Sequence, residues 1–417
     1  MRLTGGLQLV PREVCYHENG LRAVSLDKTI GAIESLLAAS SFDFVYQQII
    51  KAESSLHSSF IQLISPAGPD HDKFYYGKGI TNQQAFASAF MEFIERFCAC
   101  RLSDDNVITA TYDAIIETAL DPQRCVLSQS SGYMPNQTIE WVWGRSLTRE
   151  EDVLVPAGMV YLPYEHSPSL KTISCQDSNG LASGNCLEEA ILHALLELIE
   201  RDTAFIVEYN RLVLPDLAFD TIPDEKLSTL LSTINHAGLT CQIKDARHDL
   251  GIATFSAFLQ GETTTGKAYA QAWGTHLNPG IAFSRSLTEA LQMYPRSRNY
   301  DDWKTSGPFD YYYQHSGYTT CFSEIPDLTD GDIKASLDLC VERLRRKEIE
   351  VIVVDLSMPA LPFAAVRVIA PGLQPYTTRS MPRLSKRLLN VPVEMGYREA
   401  AGYFSDLKLR ALCGYAE

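Results

Sequence analysis

Two stretches of this chain carry the same chemistry-bearing pattern, SAFMEFIER at 88–96 and HALLELIER at 193–201. Both hold alanine, glutamate, isoleucine, glutamate and arginine in register, and chance must supply such a repeat twice. At about 100° per residue on a helix, Ser88, Glu92, Glu95 and Arg96 share one narrow stripe, opposite Phe86, Phe90, Phe93 and Phe97. In the second copy Glu189, His193, Glu197, Glu200 and Arg201 share a stripe; Ile191, Leu192, Leu195, Leu198 and Ile199 cover the rest, and Leu196 intrudes among the acids. Glutamate and arginine four apart usually make a solvated ion pair, and the first copy alone fits that reading. The second helix is apolar nearly all round, so its acids belong in the interior, where an uncompensated carboxylate is costly. Two acidic stripes facing each other around a divalent cation remove that cost. Magnesium takes oxygen ligands and leaves room for phosphate oxygens; Arg96 and Arg201, at the stripe edges, suit phosphate too.

The second helix is preceded by SNGLASGNCLEEA at 178–190. Small residues feeding a helix present free N–H groups to phosphate, yet the lysine of the GxxxxGK[ST] loop is missing. The expected division of labour is that acids hold metal, metal holds phosphates, and the glycine loop adds N–H donors. A weaker third copy reads RSLTEALQ at 285–292. Arg285, Glu289 and Gln292 share a face there, glutamine replacing the second acid, although an ordinary surface helix fits equally well. His193 is a candidate general base, but such a histidine more often hydrogen-bonds a neighbouring carboxylate. Cys98 and Cys100 follow the first motif and raise the idea of a sulfur carrier; buried small side chains are the plainer reading. Helical carboxylates also build di-iron oxidases, but those use Glu-x-x-His pairs that neither acidic helix contains. A peptide-binding scaffold without turnover is the non-enzymatic alternative.

These residues need elements to position them. The first 65 residues form a smaller unit, its clearest element a helix over 26–40 opened by Ser25. From about residue 68 onward a glycine stretch, a capping signal and an amphipathic helix recur; Thr81 with Gln84 and Asn185 with Glu188 have capping-box spacing. Strand signals fall at 141–143, 153–155 and 172–175, at the neighbouring runs 252–259 and 268–273, at 349–356 and, past a Pro-rich bend at 359–362, at 364–369. The chain is mixed α/β. Its 417 residues include 45% hydrophobic and 21% charged side chains, ordinary for a globular protein with a sizeable core. A net charge of −15 argues against nucleic-acid binding. Ten cysteines without CxxC spacing give little support to structural zinc and suit reduced thiols in the cytoplasm. The longest apolar runs, such as VIVV at 351–354, are too short to span a membrane. Arg379, Arg383, Lys386 and Arg387 read as a solvated helix face, with an acidic peptide the alternative contact.

The stretch SNGLASGNCLEEAILHALLELIERD resembles the signature of the YcaO family of ATP-dependent peptide-modifying enzymes. Segments 77–96, 274–292, 351–356 and 364–373 are similar to that family in the same order. The resemblance implies an accessory region over 1–65 and a catalytic domain over 66–417. It implies a three-part fold of repeated α/β subdomains that binds ATP and Mg2+ between carboxylate helices. Carried over by position, Ser88, Arg96, Ser183, Asn185, Arg201, Arg285, Gln292 and, less directly, Lys78 would contact ATP. Glu92, Glu95, Glu189, Glu197, Glu200 and Glu289 would hold metal. Such enzymes activate a backbone amide of a ribosomally made precursor peptide: a nucleophile adds, the oxyanion takes a phosphoryl group, and phosphate leaves. A neighbouring Cys, Ser or Thr gives an azoline; external sulfide gives a thioamide. Azoline-forming members commonly end in a proline-rich tail, whereas this chain ends LKLRALCGYAE. With segment 351–373, which is similar to members working beside a TfuA partner, this points to thioamidation. One departure is that Gln292 is followed by Met293, Tyr294 and Pro295 rather than Ser-Arg, so neither Arg296 nor Arg298 inherits that arginine's role; proline should end the helix there. A leader-binding partner is an alternative to TfuA, and a homodimer is the default assembly.

Overall fold

The computed structural model describes residues 7–15, 20–39, 45–49, 59–64, 74–100, 106–164, 173, 176–263, 266–294, 314–376 and 382–399. Three sheets organise them. The first is antiparallel, β1 (Val45–Ile49), β2 (Ser59–Ile64) and β3 (Phe74–Gly79), preceded by α1 (Leu26–Ala39). On it packs α2 (Asn82–Cys98). The second sheet contains β4 (Ile108–Thr111), β5 (Thr138–Ser146), β6 (Glu151–Pro156) and β7 (Leu181–Gly184), the last running into the long α3 (Leu187–Asn210). The third begins with β8 (Asp216–Ala218), and after α4 (Glu225–His236) adds β9 (Thr240–Asp245), β10 (Ala253–Thr263) and β11 (Gly266–His276), followed by α5 (Pro279–Met293) and β12 (Thr319–Cys321). Its strand order is β11-β10-β9-β8-β12. The chain then passes through α6 (Ile333–Arg345) and returns to the second sheet as β13 (Ile352–Asp355) and β14 (Ala364–Ile369) before α7 (Arg387–Glu394). The second sheet's order is β4-β5-β13-β14-β7, with β6 also on β5.

Three strand–helix units, β3–α2, β7–α3 and β11–α5, each pack a carboxylate-bearing helix on the strand before it. The close approach is written into small residues. A Cβ at Gly77 would lie 1.9 Å from the carbonyl oxygen of Ala85, and one at Gly274 would lie 2.3 Å from that of Ala282. Any side chain there would push its helix off the sheet. In α2 the expected aromatic face forms: Phe86, Phe90, Phe93 and Phe97 stack in sequence with centroids 5.5–6.5 Å apart. Tyr75 of β3 meets Phe93 edge-on at 5.4 Å, a favoured aromatic geometry. α3 is buried along nearly all its length, so its acids are interior, as its apolar circumference requires.

Thr81 and Gln84 form the expected capping box, Oγ1 of Thr81 accepting from the Gln84 N–H and Gln84 returning to Thr81. The second expected box does not form. Cys186 occupies the N-cap of α3 without a side-chain bond, because Asn185 and Glu188 are both committed elsewhere: Asn185 to Thr29 and Glu189, Glu188 to Val10 and Arg12. The runs 252–259 and 268–273 are paired antiparallel in β10 and β11, and β14 matches its expected bounds. The strand signal at 172–175 lies outside the described residues apart from the buried Ile173. Pro295, Arg296, Ser297, Arg298 and Arg379 also lie outside them. The reading of Arg387 as part of a solvated face is corrected. Its guanidinium is bonded to Asp202 and Asp249 in the interior, since a carboxylate buried on α3 draws a fork-shaped donor inward.

Candidate active site

The three units converge on a cavity of about 350 Å³, within the usual range for a small-molecule site. Lys78, Ser88, Glu92, Glu95, Arg96, Ser183, Asn185, Glu189, His193, Glu197, Glu200, Arg201, Arg285 and Glu289 all line it. Gln292 is not among the described lining residues; it sits half-buried at the end of α5. Residues without a sequence signal also reach the wall, notably Arg22 and Thr29 from the N-terminal region. Arg22 precedes any helix, so periodicity says nothing of it.

The segment before α3 differs from the expected glycine loop. Residues 181–184 are a strand, β7, paired with β14. The N–H of Gly180 points to Glu197, donating to Oε2 at 3.2 Å, and the Ser183 hydroxyl donates to the carbonyl of Met91. Hydrogen-bonding potential that a phosphate loop would leave open is used here to fix a strand edge and an acid.

The acids divide into two groups. Glu189 is saturated by Arg22 at 2.9 Å, the Ala23 N–H at 3.1 Å and Asn185. Glu289 is ion-paired with Lys78; burial raises its pKa, but Lys78, Arg201 and Arg285 together outweigh that and leave it lowered. Glu95, Glu197 and Glu200 are poorly compensated. Burial pushes Glu95 well above the usual carboxylate range, Arg96 opposing and Glu197 and Glu92 adding to the rise. Burial likewise raises Glu197 and Glu200. The arginine contacts are loose: Arg96 Nε lies 3.5 Å from Glu95, and Arg201 3.5 Å from Glu197. Neither of these contacts has the short, parallel geometry of a tight bidentate pair.

These residues fit a hard cation. Buried carboxylates held above their ordinary pKa lack positive charge, and oxygen donors are what Mg2+ takes. Among the described residues no three His, Cys, Asp or Glu groups are gathered closely enough to hold an ion unaided. Oxygens of a nucleotide phosphate would complete a shell begun by these carboxylates.

His193 does not hydrogen-bond a carboxylate, the use expected first. Its Nε2 faces a nitrogen of Arg285 at 3.5 Å, and its Nδ1 is buried without a partner among the described residues. Burial, then Arg285, Arg22, His276 and Lys78, hold its pKa well below 6.5, which makes it a weak base. Cys98 is fully buried, and the Cys100 thiol lies 3.6 Å from the Arg96 carbonyl, in keeping with small packed side chains.

Comparison with known proteins agrees with this geometry. Residues 76–374 match the sequence model of the YcaO cyclodehydratase family, described as binding ATP and Mg2+. An uncharacterised protein of Methanothermobacter thermautotrophicus is 32% identical over 321 residues, 73% of this chain and 82% of its own. A Rhizobium leguminosarum bv. trifolii protein, described only as encoded in the tfuA 3′ region, is 27% identical over 76% of this chain and 80% of its own. Among solved structures, a heterocyclase in complex with substrate and cofactor aligns with a TM-score of 0.84 at 23% identity, covering 97% of this chain but 58% of the heterocyclase. The YcaO protein of Methanopyrus kandleri, bound with AMPPCP and Mg2+, aligns at 0.70 and 22% identity over 90% of this chain and 98% of its own. The chain belongs to the YcaO family, and its cofactors are ATP and Mg2+. No helix among the described residues is long and apolar enough to cross a membrane.

Proposed function

We propose that this protein uses ATP to O-phosphorylate a backbone amide of a ribosomally made peptide and installs sulfur there, giving a thioamide. The observation that carries the reading is the charge layout of the cavity, with undercompensated Glu95, Glu197 and Glu200 beside Arg96 and Arg201. Bound Mg·ATP supplies the phosphoryl group that turns the amide oxygen into a leaving group. Glu92, Glu95, Glu197 and Glu200 would hold the metal. Arg96, Arg201, Lys78 and Arg285 would neutralise phosphate oxygens as charge spreads. Glu189 and Glu289 would join the metal shell if Arg22 and Lys78 turned to phosphate. The acids on α2 and α3 are fixed from behind by rigid packing, so the site would need little reorganisation during reaction.

Sulfide rather than a side-chain nucleophile is favoured by the similarity to a protein from a tfuA region. A TfuA-like partner would then deliver sulfur or peptide. Cyclodehydration of Cys, Ser or Thr is the second reading, favoured by the fold shared with a heterocyclase. Intact-mass measurement on a candidate peptide decides between them. Enzyme, Mg·ATP and sulfide should give the oxygen-to-sulfur mass increase; loss of one water without sulfide would favour the azoline, and no peptide-dependent phosphate release would refute both.

A further inference from the structure

Arg367 of β14 is a buried guanidinium, 4% exposed, and among the described residues no carboxylate hydrogen-bonds it. It donates instead to three backbone carbonyls: Nε to Val160 at 3.1 Å, one terminal nitrogen to Asn179 at 2.8 Å and the other to Asp177 at 2.9 Å. Only a planar fork spans three carbonyls in this way; an ammonium presents one point charge. Two of those carbonyls belong to the turn that ends in Gly180. The same turn is tied to the neighbouring residue of β14, whose Val368 N–H donates to the Gly180 carbonyl at 2.7 Å. Beyond it, the Gly180 N–H holds Glu197. Burial lowers the pKa of Arg367 and Arg96 adds to the fall, while the nearby acids Asp177, Glu95 and Glu197 oppose it.

We infer that Arg367 is a positioning residue for the metal-binding acids: by clamping the carbonyls of Asp177 and Asn179 it fixes the turn whose Gly180 N–H sets the orientation of Glu197. The inference rests on the proposed metal role of Glu197. Its two possible effects have opposite signs. Deleting a fixed cation near carboxylates strengthens cation binding, whereas releasing the clamp lets Glu197 swing and weakens it. Partners that orient metal ligands typically contribute roughly 10- to 100-fold in metal affinity.

The test compares the full-length protein with Arg367→Met, Arg367→Lys and Val366→Ala, the last a control that opens the core beside the same strand. Mn2+ affinity is read by electron paramagnetic resonance in the presence of AMPPCP, and exchange of the Gly180 amide by NMR without nucleotide. Arg367→Met and Arg367→Lys should lose roughly tenfold in Mn2+ affinity and expose the Gly180 amide, while Val366→Ala changes neither. Unchanged or tighter Mn2+ binding in Arg367→Met, or a Gly180 amide that stays protected, overturns the inference. If the unmodified protein bound no Mn2+ with AMPPCP, the functional reading would fail, and the amide exchange would still judge the clamp.

Discussion

Glu200 of α3 accepts the backbone N–H of Thr275 in β11 at 2.8 Å, so one carboxylate joins the second strand–helix unit to the third. Thr275 is 1% exposed, and its N–H would have no replacement partner in water. Glu200→Ala should therefore cost about 1–3 kcal/mol in chemical denaturation. Glu200→Gln keeps an acceptor and should stay within about 1 kcal/mol of the parent while weakening Mg·nucleotide binding. An alanine variant as stable as the parent contradicts the tie.

Phe93 is fully buried between Tyr75, Phe90 and Phe97. It is the keystone of the face opposite Glu92 and Glu95. Phe93→Ala should lose about 3–5 kcal/mol of stability, measured by urea unfolding. A loss below about 1 kcal/mol would mean that α2 is not held by its aromatic ladder.

Arg387 donates to Asp202 at 2.9 Å and to Asp249 at 2.8 and 3.0 Å, and both acids are almost completely buried. Removing the cation leaves the buried Asp202 with the Gln374 N–H and without its guanidinium, while Asp249 keeps Lys347 and His248. Arg387→Ala should cost about 3–5 kcal/mol. A cost of a few tenths would restore the solvated-face reading.

His276 is buried, and its Nδ1 accepts the Asn278 N–H at 3.0 Å. Burial, with Arg285 and Arg22, holds its pKa at about 3 against an ordinary 6.5. Between those values the unfolded chain binds a proton that the folded chain refuses. Stability present above pH 6.5 is thus lost as pH falls, by about 1.4 kcal/mol per unit. Glu95, Glu197 and Glu200 act in the opposite sense, since their raised pKa values favour the folded state at lower pH. Comparing the parent with His276→Asn cancels their effect. The parent should lose about 2 kcal/mol more than His276→Asn between about pH 7 and pH 5. Parallel pH profiles would contradict this account.

What the sequence revealed and what it hid follow from geometry. Helix periodicity placed Glu92, Glu95, Glu197 and Glu200 on facing stripes because side-chain direction on a helix is fixed by spacing alone. The glycine-rich stretch misled because strand and loop differ by partners, and the partner of β7 lies far along the chain in β14. Asn185 and Glu188 had the spacing of a capping box but were taken by long-range contacts to Thr29, Val10 and Arg12. Arg22 and Arg367 could not be read at all: one precedes every helix, and the other looks like any residue of an apolar strand until its three carbonyls are in place.

The central claim is that acids on two helices share Mg2+ with a nucleotide. Calorimetric titration of AMPPCP, with and without Mg2+, into the parent protein and into Glu95→Gln and Glu197→Gln tests it most directly. The account predicts binding that requires Mg2+, releases protons and weakens at least roughly tenfold in each variant. Nucleotide binding of equal strength without Mg2+, or untouched by either substitution, would contradict it.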